Sequence, residues 1–130
     1  MYSIMEYIAN QVKSKGIKCT INTTEVEDKS IYNTFIRTLT NEDNQYDLCD
    51  GIYNKQFEII VVSDNTIDEE LSSNKLDEII EVLKTIKYVT LGKKRIISIV
   101  NIEHNYKGLN EQDLKVYDVI FGVNYVEKEL

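Results

Sequence analysis

Apolar residues recur with two periods along this chain, and the change from one to the other marks its elements. Ile4, Met5, Ile8 and Val12 fall on one helical stripe, with Asn10, Lys13 and Ser14 opposite. Gly16 follows directly, the residue type that most easily takes the left-handed conformation closing a helix, so a first helix runs to about Lys15. Ile17, Cys19 and Ile21 then alternate with Lys18 and Thr20, the pattern of a half-buried strand, and Asn22-Thr23-Thr24 has turn chemistry. Ser30 to Thr40 is rich in β-branched and aromatic residues and reads as a second strand. Gln56 to Ser63 holds Phe57, Ile59, Ile60, Val61 and Val62, apolar on both faces, as expected of a central strand covered on both sides.

Between those two strands, Asn41-Glu42-Asp43-Asn44-Gln45 and the stretch from Tyr46 to Tyr53 read as a loop of about 15 residues, a length usually tied to function. Asp64-Asn65 turns the chain, and Thr66-Ile67-Asp68-Glu69 is a capping box opening a second helix. Leu76, Ile79, Ile80, Leu83 and Ile86 form its buried stripe, and Ser72-Ser73-Asn74 are expected to interrupt it. Gly92 begins a turn. Arg95 to Glu103 is a strand with Ile97 and Ile99 facing the core and Ile96, Val100 and Ile102 as further candidates for burial, and a polar loop with Gly108 follows. In the last strand Tyr117, Val119, Phe121, Val123 and Tyr125 alternate with Asp118, Gly122 and Asn124. The order α-β-β-β-α-β-β predicts an α+β fold, a mostly antiparallel sheet of about five strands with two helices on one face.

A chain of 130 residues that is 42% hydrophobic can bury one sizeable core, so residues 1–130 are expected to form a single domain. There are 15 Lys and Arg against 22 Asp and Glu, a formal charge of -7. The only dense basic run is Lys93-Lys94-Arg95, which excludes duplex nucleic acid or an anionic membrane as the main partner. No apolar run approaches the roughly 20 residues of a membrane span. Met1 to Glu6 lacks the basic and apolar blocks of a secretory signal, so an intracellular protein is expected.

Chemistry-bearing residues are sparse. The five glycines are isolated, and none stands in a phosphate-cradling motif. His104 is the single histidine and reads as a solvated loop residue; without a nucleophile-elbow sequence it gives no hydrolase triad. Cys19 alternates with core positions and is expected to be buried and inert, whereas Cys49 sits in the long loop. Asp64, Asp68, Glu69 and Glu70 are explained by helix capping. Glu27-Asp28-Lys29 lacks the upstream aspartate of a two-metal nuclease core. No catalytic residue, metal ligand or cofactor is therefore assigned.

The remaining signal is aromatic: 9 Tyr and no Trp. Tyr buries area while keeping a polar handle, which suits interfaces. The loop residues Tyr46, Leu48, Ile52 and Tyr53 read as a contact arm, or as a loop folded back on its own core. Lys93, Lys94 and Arg95 read as a solvated hairpin turn, or as an acceptor patch for an acidic partner.

Three stretches carry a resemblance: the short helix closed by Gly16 with Ile17 beyond it, the strand Phe57-Glu58-Ile59-Ile60-Val61-Val62 after a variable loop, and Tyr117 to Tyr125 with its charged tail. In this pattern the chain resembles the tail terminator (tail-completion) and minor capsid proteins of long-tailed phages, whose relatives occur in phage-tail-like bacteriocins. The resemblance implies a homo-oligomeric ring, commonly a hexamer, capping the head-proximal end of the tail tube. Its implied partners are the tail tube protein, with sheath and head-connector proteins, in a particle assembled in the bacterial cytoplasm. It brings no enzymatic residues. Two other classes remain open: an acidic binding module acting by charge mimicry, and a small enzyme using Cys49.

Overall fold

The computed structural model describes residues 4–21, 33–39, 45–49, 51–64 and 69–127. They form α1 (Ile4–Lys13), β1 (Cys19–Ile21), β2 (Asn33–Thr38), β3 (Gln45–Cys49) and β4 (Ile52–Asp64). Then come α2 (Glu69–Lys84), β5 (Lys87–Leu91), β6 (Lys94–Leu109) and β7 (Leu114–Glu127). One sheet holds all the strands in the order β1-β2-β4-β7-β6-β5, with β3 also paired to β4. β1 and β2 run parallel, and the other pairings are antiparallel. The fold is α+β, and the described residues form seven strands in place of the five expected, in the order α-β-β-β-β-α-β-β-β.

Each difference from the expected order has a local cause. The stretch read as a long loop contains Asp50-Gly51, a dipeptide suited to a two-residue hairpin turn. Cys49 pairs with Ile52 across it, and Gly51 has a φ of 80°. Tyr46, Leu48, Ile52 and Tyr53 thus lie in strands, not in a loop. β2 and β3 stand in line beside β4, the first against Phe57 to Val62 and the second against Ile52 to Lys55. β5 follows α2 directly, since the Thr85 and Ile86 amides still donate to the Val82 and Leu83 carbonyls at 3.1 and 3.2 Å. α2 itself runs without interruption through Ser72-Ser73-Asn74, with Ser72 buried. Asn65 of the turn, Thr66, Ile67 and Asp68 of the capping box, and the acidic group at Glu25, Glu27 and Asp28 lie outside the described residues.

β6 is longer than expected because the polar stretch after Glu103 stays paired to β7 as far as Leu109. Three register shifts give β6 an extra residue at each, and Asn101, inside one of them, has a φ of 55°. Such bulges increase strand twist. The first falls between Ile96 and Ser98, so Ile96 is fully buried, whereas Ile97 and Ile99 are only half-buried.

Both helices cover one face of the sheet. Ile8 and Val12 from α1 and Ile79 and Leu83 from α2 join Phe57, Ile59, Val119 and Phe121 in the main core. The opposite face carries a smaller apolar cluster of Phe35, Ile60, Val62 and Leu114. β4 is therefore buried on both faces, which accounts for its unbroken run of apolar residues.

Candidate functional site

Two sequence stretches with no evident relation meet at one end of the sheet. The end of β7 lies between the start of β4 and the start of β6, so Ile52 pairs with Val126, which pairs with Arg95. One position along, Tyr53 pairs with Tyr125, which pairs with Ile96. Lys94 stands opposite Glu127, and Lys93 is exposed in the turn before it. Of the seven predicted contact residues, the structure thus gathers Ile52, Tyr53, Lys93, Lys94 and Arg95. Tyr46 and Leu48 lie in β3 beside them, with Tyr46 in register with Asn54.

Tyr125 organises this end. Its ring packs against Tyr53 at a centroid distance of 5.7 Å, and Lys94 Nζ sits 5.4 Å from its centroid. An ammonium over a tyrosine face is attracted by the ring quadrupole. The Tyr125 hydroxyl is buried without a hydrogen-bond partner, and burial, then Glu127 and Tyr53, push its pKa up to about 12. Lys55 lies on the same face of β4, its pKa lowered by burial and then by repulsion from Lys94. A local excess of positive charge thus stands on an acidic chain. Among the described residues no carboxylate lies within ion-pair distance of Lys93, Lys94 or Arg95.

The orphaned hydroxyl gives a direct test. Removing a buried polar atom that lacks a partner relieves a desolvation cost. Tyr125→Phe is expected to raise stability by about 1 kcal/mol, read as a higher midpoint in urea at unchanged slope. A loss of stability would show that the hydroxyl has a partner after all.

A second polar centre lies on the opposite face. Glu58 of β4 accepts from Arg37 of β2, with Nε at 2.9 Å and Nη2 at 2.8 Å, and it faces Asp118 of β7. Both acids are buried, Asp118 completely. Asn105 donates to Asp118 Oδ1 at 3.2 Å, and Lys107 Nζ lies 3.8 Å from Oδ2. With both carboxyls ionised, Oδ2 has no hydrogen-bond donor; a protonated Glu58 supplies one to the Asp118 carboxylate. Burial and this bond raise the Glu58 pKa, while Arg37 lowers it. Neither acid stands in a recognisable motif, and their partners Arg37 and Asn105 are distant in sequence, so sequence reasoning misses the centre.

The outer side of α2 carries exposed Asp77, Glu78 and Glu81. Glu78 is paired with Lys75 at 3.4 Å, whereas Asp77 and Glu81 have no cation within ion-pair distance among the described residues. Between α2 and β6 lie two adjoining cavities of about 510 and 440 Å³, which share Asp77 and His104. Tyr106 and Tyr117, with ring centroids 5.1 Å apart, line the upper one. Ile80, Ile102 and Lys84 line the lower one. His104 is exposed, as expected, but it belongs to strand β6 and not to a loop.

The cysteines divide. Cys19 is buried, and burial pushes its thiol up to about 11, which leaves it protonated at neutral pH. The Cys49 side chain lies outside the described residues. Among the described residues there is no group of three or more His, Cys, Asp or Glu placed to hold a metal ion. No described helix is long and apolar enough to cross a membrane. Neither models of known protein families nor curated proteins give a match to this chain.

Proposed function

We propose that this chain is a structural assembly subunit, a tail terminator that forms a ring on the head-proximal end of a phage or phage-like tail tube. The ring stops tube growth and offers a surface to the head connector. No catalytic residue or cofactor is assigned to it. The observation that carries the reading is the convergence of Ile52, Tyr53, Lys93, Lys94 and Arg95 at one end of the sheet, around Tyr125. Tyr53 and Lys94 lie against Tyr125 on one face, whereas Ile52 and Arg95 alternate to the other face, so this end of the sheet presents aromatic, aliphatic and basic side chains, the composition of a protein contact. A ring requires head-to-tail contact between two different patches of each subunit. The exposed large apolar residues support such a division, with Tyr88 near the basic end and Tyr106 and Leu109 toward the other end of β6.

Mixing the protein with polymerising tail tube subunits tests the role. Capped tubes with added density at one end only are expected. Tubes that grow unchanged, with the protein left in the supernatant after sedimentation, would overturn it. The exposed acids of α2 favour a second reading, an acidic module that occupies a basic protein partner. Lys75 and Lys84 interrupt that face, which ranks the second reading lower.

A further inference from the structure

The groove between α2 and β6 carries Asp77 and Glu81 against one cation, Lys84, and the turn between β5 and β6 is basic; among the described residues neither the two acids nor the turn cations have an ion-pair partner. Asp77 and Glu81 rim the groove, Ile80 and Ile102 line it, and His104 and Tyr106 stand along β6. Lys93 is exposed at the tip of the turn, and Arg95 follows in β6. One copy cannot join its own two patches. Arg95 is in register with Val126, and Ile102 lies between Val100, opposite Gly122, and Glu103, opposite Ile120, so even the nearest members of the two patches are about 16 Å apart at the rise of a strand. Any contact between the patches is therefore intermolecular.

We propose that the α2–β6 groove is the docking site for the Lys93-Lys94-Arg95 turn of a second copy of this chain. The inference rests on the assembly reading and deepens it by naming the two faces that meet. Lys93 and Arg95 approach Asp77 and Glu81, while Lys94 stays over Tyr125 and stiffens the turn from below. Tyr88, exposed near the start of β5 opposite the Ile96–Ser98 bulge, and Tyr106, exposed at the groove, add apolar area to the two faces. A positive φ of 54° at Tyr88 holds that ring on the sheet edge in a conformation bulky residues rarely adopt. Because the two patches differ, the contact is heterologous, and repeated application generates a ring or an open helix. Opposite charge steers the encounter and sets the register, so association weakens as salt rises.

Two charge-reversed proteins test this contact by sedimentation equilibrium at concentrations up to about 1 mM, which reads dissociation constants into the millimolar range. In Lys93→Glu/Arg95→Glu both patches are acidic, and in Asp77→Lys/Glu81→Lys both are basic. All four positions face solvent at least in part, and thermal melting confirms that each protein is folded. Each variant alone is expected to self-associate at least about tenfold more weakly than the unaltered chain. An equal mixture of the two regains association, because each turn then finds a groove of opposite charge. Variants that associate like the unaltered chain, a mixture that stays monomeric, or an unaltered chain that never associates would each overturn the proposal. Tube capping separates this contact from the wider role. Complementation without capping keeps the contact and removes the tail function. Capping that survives both reversals keeps the tail function and removes the contact.

Discussion

Phe121→Ala is expected to cost about 3–5 kcal/mol of folding stability, the range for emptying a fully buried aromatic site. Phe121 lies in β7 directly opposite Phe57 of β4, with ring centroids 5.8 Å apart and the rings inclined by 24°. Both are buried in the core cluster to which α1 and α2 contribute. Removing one ring strips partners from the other and leaves a void beneath the helices, which are tied to rigid strands and collapse little. Domains of this size are stable by about 5–15 kcal/mol, so the variant loses a large share of the total. Urea denaturation should show a much lower midpoint, while Leu109→Ala, at a site 54% exposed, should change stability by less than about 0.5 kcal/mol. Similar midpoints for the two variants would mean that the helices do not pack over the centre of the sheet.

The second large effect concerns the Glu58 and Asp118 pair. At pH 7, Arg37→Ala is expected to cost about 2 kcal/mol. Loss of one partner from a buried charge pair typically costs 3–5 kcal/mol, and the Arg37 side chain is half exposed, so water recovers part of that. The cost should shrink on acidification. Burial and the bond that protonated Glu58 donates to Asp118 raise the Glu58 pKa above its ordinary 4.5, so folding favours the protonated acid. The stability this group contributes is complete below 4.5 and is lost as pH rises through the folded value. With Arg37 gone, the opposing pull on that pKa is removed, and the protonated state persists to higher pH. Melting curves for the unaltered chain and Arg37→Ala should therefore converge near pH 4 and separate toward pH 7. Adding Glu58→Gln to Arg37→Ala should recover much of the loss at pH 7, since an amide can donate to Asp118 without a charge. A loss that is constant with pH would show that Arg37 acts by packing alone.

The helices and the central strand follow from periodicity. Ile4, Ile8 and Val12 recur at helical spacing, and α1 buries those three residues. The double-sided apolar run from Phe57 to Val62 needs cover on both faces, and β4 has it. Cys19 alternates with core residues and is buried. These outcomes are local, because a stripe or an alternation fixes which side of an element avoids water.

Other features depended on partners distant in sequence. The segment from Gln45 to Tyr53 is polar enough to pass for a loop, and the Asp50-Gly51 turn marks a hairpin only once β3 lies against β4. β5 has no turn residue separating it from α2, and β6 runs through Gly108 because β7 remains beside it to pair with. Neither Glu58 nor Asp118 stands in a recognisable motif, and only the stacking of β2, β4, β7 and β6 puts Arg37, both acids and Asn105 in one cluster. The gathering of Tyr53, Lys94 and Arg95 is of the same kind. Their sequence separation carries no sign of it, and hydrogen bonding to both sides of β7 brings the three together. The sequence by itself determined which residues leave water; pairing of strands far apart along the chain decided which charges and rings became neighbours.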